Sequence, residues 1–139
     1  MKVFKILVFI ILVFLLVRKV SNGYDNIEIN NTSFKVKIAE NPSEWKIGLS
    51  NIDNLEEKEG MLFIFPILAE RSFYMKNMNF AIDLLWIKDN IIVGMEKNML
   101  PDNGEKYYNS VEEIDMVLEL KAGSIDNYNL NINNIIKIN

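Results

Sequence analysis

Gly60 to Pro66, Arg71 to Asn77 and Ile82 to Ile87 read as strand, and three charged side chains, Arg71, Lys76 and Asp83, are set inside these apolar blocks. No other feature constrains the fold as strongly. A buried charge without a partner costs several kcal/mol, roughly 3–5 when one member of a buried pair is removed, so each of the three must pair, reach water or meet a ligand. The period of two places Ile82, Leu84 and Trp86 on one face of a strand and Asp83, Leu85 and Ile87 on the other, so Asp83 shares its face with apolar side chains. A short connection over 77–79 predicts that the strand of Phe73 to Lys76 lies antiparallel beside it, bringing Arg71 or Lys76 within reach of Asp83. Two readings follow. One is an ion pair or backbone clamp that fixes strand register. The other is a polar floor in an aromatic-walled pocket, with Arg71, Phe73, Tyr74, Lys76, Asn77, Asp83 and Trp86 as ligand-binding residues for a small polar or anionic group.

The remaining composition narrows the chemistry. Cysteine and histidine are both absent. Their absence removes disulfides, thiolate nucleophiles, zinc sites of the usual ligand type and imidazole bases, and neither a metal nor a cofactor is expected. Residues 1–20 carry four basic side chains (Lys2, Lys5, Arg18 and Lys19) and no acidic one; the rest carries the other 11 basic and all 19 acidic side chains, a balance of about −8. Nucleic acid demands clustered cations to displace counterions from phosphate, and Lys35 with Lys37 is the nearest approach to such a cluster, so no nucleic-acid partner is expected.

Ile6 to Val17 is an unbroken apolar run between basic flanks, the pattern of a targeting segment. Val3 to Val20 spans about 27 Å as a helix at ~1.5 Å per residue, close to the ~30 Å hydrocarbon core if Lys5, Arg18 and Lys19 snorkel. This length favours an uncleaved, membrane-anchoring hydrophobic helix with the domain outside the cytoplasm. The alternative is a signal peptide whose cleavage leaves a secreted or periplasmic protein, although Arg18-Lys19 follow the run at once and no small-x-small site is evident.

After a signal or anchor at 1–20 and a polar linker at 21–31, one domain is expected over 32–139. Phe34, Val36 and Ile38 alternate with polar positions as a half-buried strand. Asn41, Pro42 and Glu44 sign the start of a helix over 42–50 with Trp45 and Leu49 inward. Strands follow at 61–65, 73–76, 80–87 and 91–96, the last two joined as a hairpin at Lys88-Asp89-Asn90, with a turn at 101–104. Ile114, Met116, Leu118 and Leu120 against Glu113, Asp115, Val117 and Glu119 read as a half-buried strand, before a short helix at 124–128 and a closing strand at 135–138. The expected fold is mainly β (α+β): a compact, partly closed antiparallel β-barrel-like sheet with one or two short helices, behind an N-terminal hydrophobic helix.

Other motifs carry little. Ser43-Glu44-Trp45-Lys46 matches the Ser-x-x-Lys pattern of serine acyltransferases, but the chain is too short for that fold. Glu56, Glu57 and Glu59 lack the regular oxygen-ligand spacing of a cation loop and read as a solvated turn.

Glu44-x-x-x-Gly48-Leu49, Gly60-Met61-Leu62-Phe63-x-Phe65, Phe73-Tyr74-Met75-Lys76-Asn77, Ile82-Asp83 and Leu118-Glu119-Leu120-x-Ala122-Gly123 resemble, in order and spacing, the domain-of-unknown-function 192 family over about residues 34–138. The resemblance implies a compact, mainly β domain often preceded by an export signal or anchor, and it brings no activity with it. Ser50 stands where that family tends to have methionine, Met78 where threonine is frequent, Ala81 where proline is usual and Asn133-Asn134 where Gly-Asp is common.

Three functions are compatible with these residues. The first is a non-enzymatic envelope domain that binds a small polar ligand or a partner segment near Arg71, Lys76 and Asp83. The second is a hydrolase or transferase acting on an envelope substrate, with Asp83 as base. The third is a structural component of a membrane complex, working through an exposed edge strand.

Overall fold

The computed structural model describes residues 23–139; the hydrophobic helix expected over 3–20 lies outside them. No helix among the described residues is long and apolar enough to cross a membrane. Among the described residues nine strands run β1 (Tyr24–Ile29), β2 (Thr32–Ala39), β3 (Glu59–Ala69), β4 (Ser72–Tyr74), β5 (Ile82–Lys88), β6 (Ile91–Met99), β7 (Tyr107–Asn109), β8 (Ile114–Lys121) and β9 (Lys137–Ile138). Two short helices, α1 (Pro42–Ile47) and α2 (Ser124–Asn127), complete the described elements.

Seven strands form one curled, half-barrel sheet in the order β6-β5-β8-β3-β2-β1-β9, and β4 pairs with β7 in a separate two-stranded sheet. Tight turns begin and end its hairpins. Asn30 and Asn31 (φ 49° and 59°) join β1 to β2, while Asp89 and Asn90 (φ 49° and 64°) join β5 to β6. Both pairs adopt the left-handed conformation that two-residue hairpin turns require and that Asn and Asp tolerate better than most side chains. The C-terminal segment joins the two sides of the curl: β9 pairs with β1, whereas Ile91 bridges Ile135 and the Ile136 amide donates to the Asn90 carbonyl at 2.9 Å. Asn133 takes φ 71° there, a geometry that glycine also supplies.

Three expectations are corrected. The sheet is not wholly antiparallel, because β2 and β3 pair in parallel, Lys35 opposite Glu59 through Ala39 opposite Phe63. The connection through α1 carries the chain back to the same end of the sheet, as a parallel pair requires. Residues 24–29, expected within a linker, form β1; Ile27 and Ile29 are fully buried, and their alternation outweighs the polar neighbours. Residues 73–76 do not lie beside β5, which pairs with β6 and β8. Asn77, at φ 57°, turns the chain between them, and β4 instead pairs with β7.

The two faces of the central strands bury different clusters. Inside the curl lie Ile27, Phe34, Val36, Leu62, Leu85, Ile87, Leu118, Leu120 and Ile136. On the opposite face Met61, Phe63, Phe65, Ile82, Leu84, Trp86 and Val117 pack against Trp45, Phe73 and Tyr108, contributed by α1, β4 and β7. Strands β3, β5 and β8 are therefore covered on both sides. Gly60 makes the β3–β8 approach possible, since a Cβ there would collide with the Glu119 carbonyl oxygen and lie 2.8 Å from Leu120 Cδ2.

Candidate functional site

A cavity of about 250 Å³ opens between α1 with its following turn, the middle of β3, β4 and Glu119 of β8. The sequence builds α1 for this place. The Asn41 side chain accepts from the Glu44 amide at 3.1 Å, Pro42 occupies the first turn, and the Glu44 carboxylate accepts from the Glu40 amide at 2.8 Å. That last bond is the main reason the Glu44 carboxyl is held below its ordinary value. Gly48 at φ 51° ends the helix earlier than the expected residue 50 and leaves room beside Phe63, whose ring would lie 3.3 Å from an added Cβ. Trp45 donates its indole N–H to the Ala39 carbonyl at 3.0 Å and packs against Phe65, fixing one apolar wall.

The sequence-derived site residues separate into two groups. Arg71, Phe73, Tyr74 and Lys76 all line the cavity. The Arg71 guanidinium lies 4.1 Å from the centre of the Phe65 ring and donates through Nη2 to the Ile67 carbonyl at 2.9 Å, yet its buried Nε has no partner. Phe73 meets Phe63 and Trp86 edge-on at 5.1 and 5.7 Å, so Trp86 backs the wall without lining the space. Asn77 is a turn residue whose carbonyl accepts from the Asn51 amide at 2.9 Å.

Asp83 lies elsewhere. Its face is the one expected, shared with Leu85 and Ile87 toward the interior of the curl, but no cation pairs with it among the described residues. Its two carboxylate oxygens instead accept from the Asn98 and Ile125 amides, each at 2.8 Å. At 1% exposure Asp83 clamps the end of β6 to the start of α2 and is shut off from substrate, which removes it from the role of base.

The acid of the cavity is Glu119. It follows Val117 by one period on β8 and so points to the face opposite Leu118 and Leu120, into the space beside Arg71 and Phe63. It is 7% exposed, and Oε2 is buried with no hydrogen-bond partner. Burial alone pushes its carboxyl up to about 8, so it holds its proton at neutral pH and can donate. Sequence periodicity does place Glu119 opposite the Leu118 and Leu120 face; the expectation of solvent on that side was the missed step. Among the described residues no group of three or more acidic side chains is arranged to hold a metal ion.

The DUF192 family model, described as Uncharacterized ACR, matches residues 26–138. Several solved structures resemble the chain, two of them as follows. One is a candidate transcription regulator from Sinorhizobium meliloti 1021, 25% identical with a TM-score of 0.78, covering 83% of this chain and 93% of its own. The other, of unknown function, is from Novosphingobium aromaticivorans DSM 12444, 20% identical with a TM-score of 0.78, covering 87% and 90%. No curated protein matches.

Proposed function

We propose that this chain, which belongs to the DUF192 family, is an envelope domain that binds a small polar or anionic molecule in the cavity between α1 and β4. The observation that carries the reading is the pair of unmet polar atoms there, Arg71 Nε and Glu119 Oε2, each buried without a partner. Native proteins satisfy nearly all such groups, and those left open inside a concave, aromatic-walled space are where a ligand's polar atoms have most to gain. The envelope part rests on the basic–apolar–basic pattern of residues 2–19. A regulatory role like that named for the Sinorhizobium protein finds no support in DNA contact here, since the acidic balance after residue 20 offers no basic stripe.

One observation favours a second reading. A carboxyl that keeps its proton to about pH 8 is suited to act as a general acid, so a hydrolase or transferase would use Glu119, with Arg71 and Lys76 receiving negative charge. It lacks a second carboxylate in the cavity, which two-carboxylate glycoside chemistry requires.

Thermal unfolding of the full chain with a panel of small metabolites and envelope esters, together with an assay for product from each, tests both. Binding predicts a Tm increase with at least one compound, lost when Ser50→Trp fills the cavity. Turnover abolished by Glu119→Gln would favour the enzyme. If no compound raises Tm, or the increase persists in Ser50→Trp, the cavity is not the binding site.

A further inference from the structure

The wall of the cavity is unequal in charge, and the inequality bears on which molecule it accepts. Lys46, Arg71 and Lys76 contribute cations, and Glu119 is the acid among the lining residues. An amine would add a positive charge to three already present and would have to strip the proton from Glu119 to gain a counterion. An acceptor-only group meets the opposite situation. The protonated Glu119 carboxyl offers an O–H, and Arg71 offers an unpartnered Nε–H beside a guanidinium partly shielded by Phe65. Away from these groups the wall is Trp45, Phe63, Phe65 and Phe73, and the volume of about 250 Å³ exceeds the roughly 150 Å³ that encloses benzene in an engineered protein cavity.

We infer that the cavity takes a small monocarboxylate with an apolar, ring-sized body, its carboxylate hydrogen-bonded by the Glu119 carboxyl and the Arg71 guanidinium while its body packs on the aromatic wall. The inference rests on the binding reading above and specifies its ligand class. A carboxylic acid beside a carboxylate shares one proton between two oxygens, a geometry that pairs the Glu119 carboxyl with a monoanion whose second oxygen is left to Arg71. Binding therefore requires the proton on Glu119. The groups facing it are Lys46 from α1 and Arg71, Tyr74 and Lys76 from around β4; its register partners on β3 and β5, Met61 and Leu84, are apolar.

Isothermal titration of the full chain in detergent micelles, against a micelle blank, compares benzoate, phenylacetate and hexanoate with benzylamine, benzyl alcohol and phenyl phosphate. At least one carboxylate is expected to bind tenfold or more tightly than the non-carboxylates at pH 7. Its affinity should fall about tenfold between pH 7 and pH 9, as Glu119 deprotonates through about 8, with uptake of about one proton at pH 9. Glu119→Gln, which keeps an N–H donor, should bind with that pH response flattened, separating Glu119 from the lysines and Tyr74. Arg71→Gln should weaken binding about tenfold. Tighter binding of the amine, alcohol or phosphate, equal carboxylate affinity at the two pH values, or an unchanged profile in Glu119→Gln would overturn the inference and leave the binding reading standing. If none of the six binds and the metabolite panel also fails, the binding reading falls with it.

Discussion

Asp83 and Glu119 are buried carboxyl groups on adjacent strands, one register step apart: Asp83 lies opposite Leu120, and Leu84 opposite Glu119. That single step sends them to opposite faces of the same sheet. Asp83 finds two backbone N–H groups waiting, each 2.8 Å from an oxygen. Glu119 finds a cavity, and its Oε2 has no partner. Exposures of 1% and 7% do not distinguish the two; the local supply of donors does. A buried carboxyl met by the backbone is a fastening, whereas one left unmet beside open space keeps its hydrogen-bonding capacity.

The largest test of this contrast is Asp83→Ala. It orphans the Asn98 and Ile125 amides at once and should cost about 3–5 kcal/mol in equilibrium urea unfolding. A loss under about 1 kcal/mol would erase the distinction from the Asp83 side. Glu119 should behave in the opposite sense. In the unfolded chain it deprotonates near 4.5, but in the folded chain near 8. Between those values the unfolded state binds fewer protons, so Glu119's contribution to stability falls as pH rises, by about 5 kcal/mol at most, and levels off above pH 8. Glu119→Gln should flatten that fall and leave the variant about 2–4 kcal/mol more stable than the parent at pH 9, as denaturation at pH 5, 7 and 9 would show. Gly60→Ala sharpens the comparison with the smallest effect. Its Cβ meets the Glu119 carbonyl on β8, so a loss of about 1–3 kcal/mol is expected in the same unfolding experiment, accompanied by weaker ligand binding because Glu119 shifts with its strand.

What the sequence disclosed, it disclosed through periodicity. The faces of Asp83, Leu85 and Ile87 and of Ile82, Leu84 and Trp86 are as alternation assigns them. Arg71, Phe73, Tyr74 and Lys76 do gather at one space. Alternation cannot say what lies on the far side of a strand. Glu113, Asp115 and Glu119 look alike on paper, but the first is exposed and the last is covered by α1 and β4, whose placement depends on contacts distant in sequence. The partner of Asp83 was illegible for a related reason: backbone amides are present at nearly every residue and leave no mark in a sequence. The parallel β2–β3 pair had a visible cue in the helix between its strands, yet connection lengths elsewhere favour antiparallel neighbours.

The C-terminal segment that joins the two sides of the curl has a bearing on how the molecule opens. Its contacts to β6 are backbone bonds around an isolated bridge, and β9 contributes only two residues, both exposed. Such a seam belongs to the weakly held part of a structure and parts well before the central strands do. Its one deeply buried side chain, Ile136, belongs to the interior cluster and not to the aromatic wall. Transient parting of that seam thus wets the interior near Ile27 and Ile92, while the cavity beside α1 and β4, on the far side of the sheet, keeps its walls.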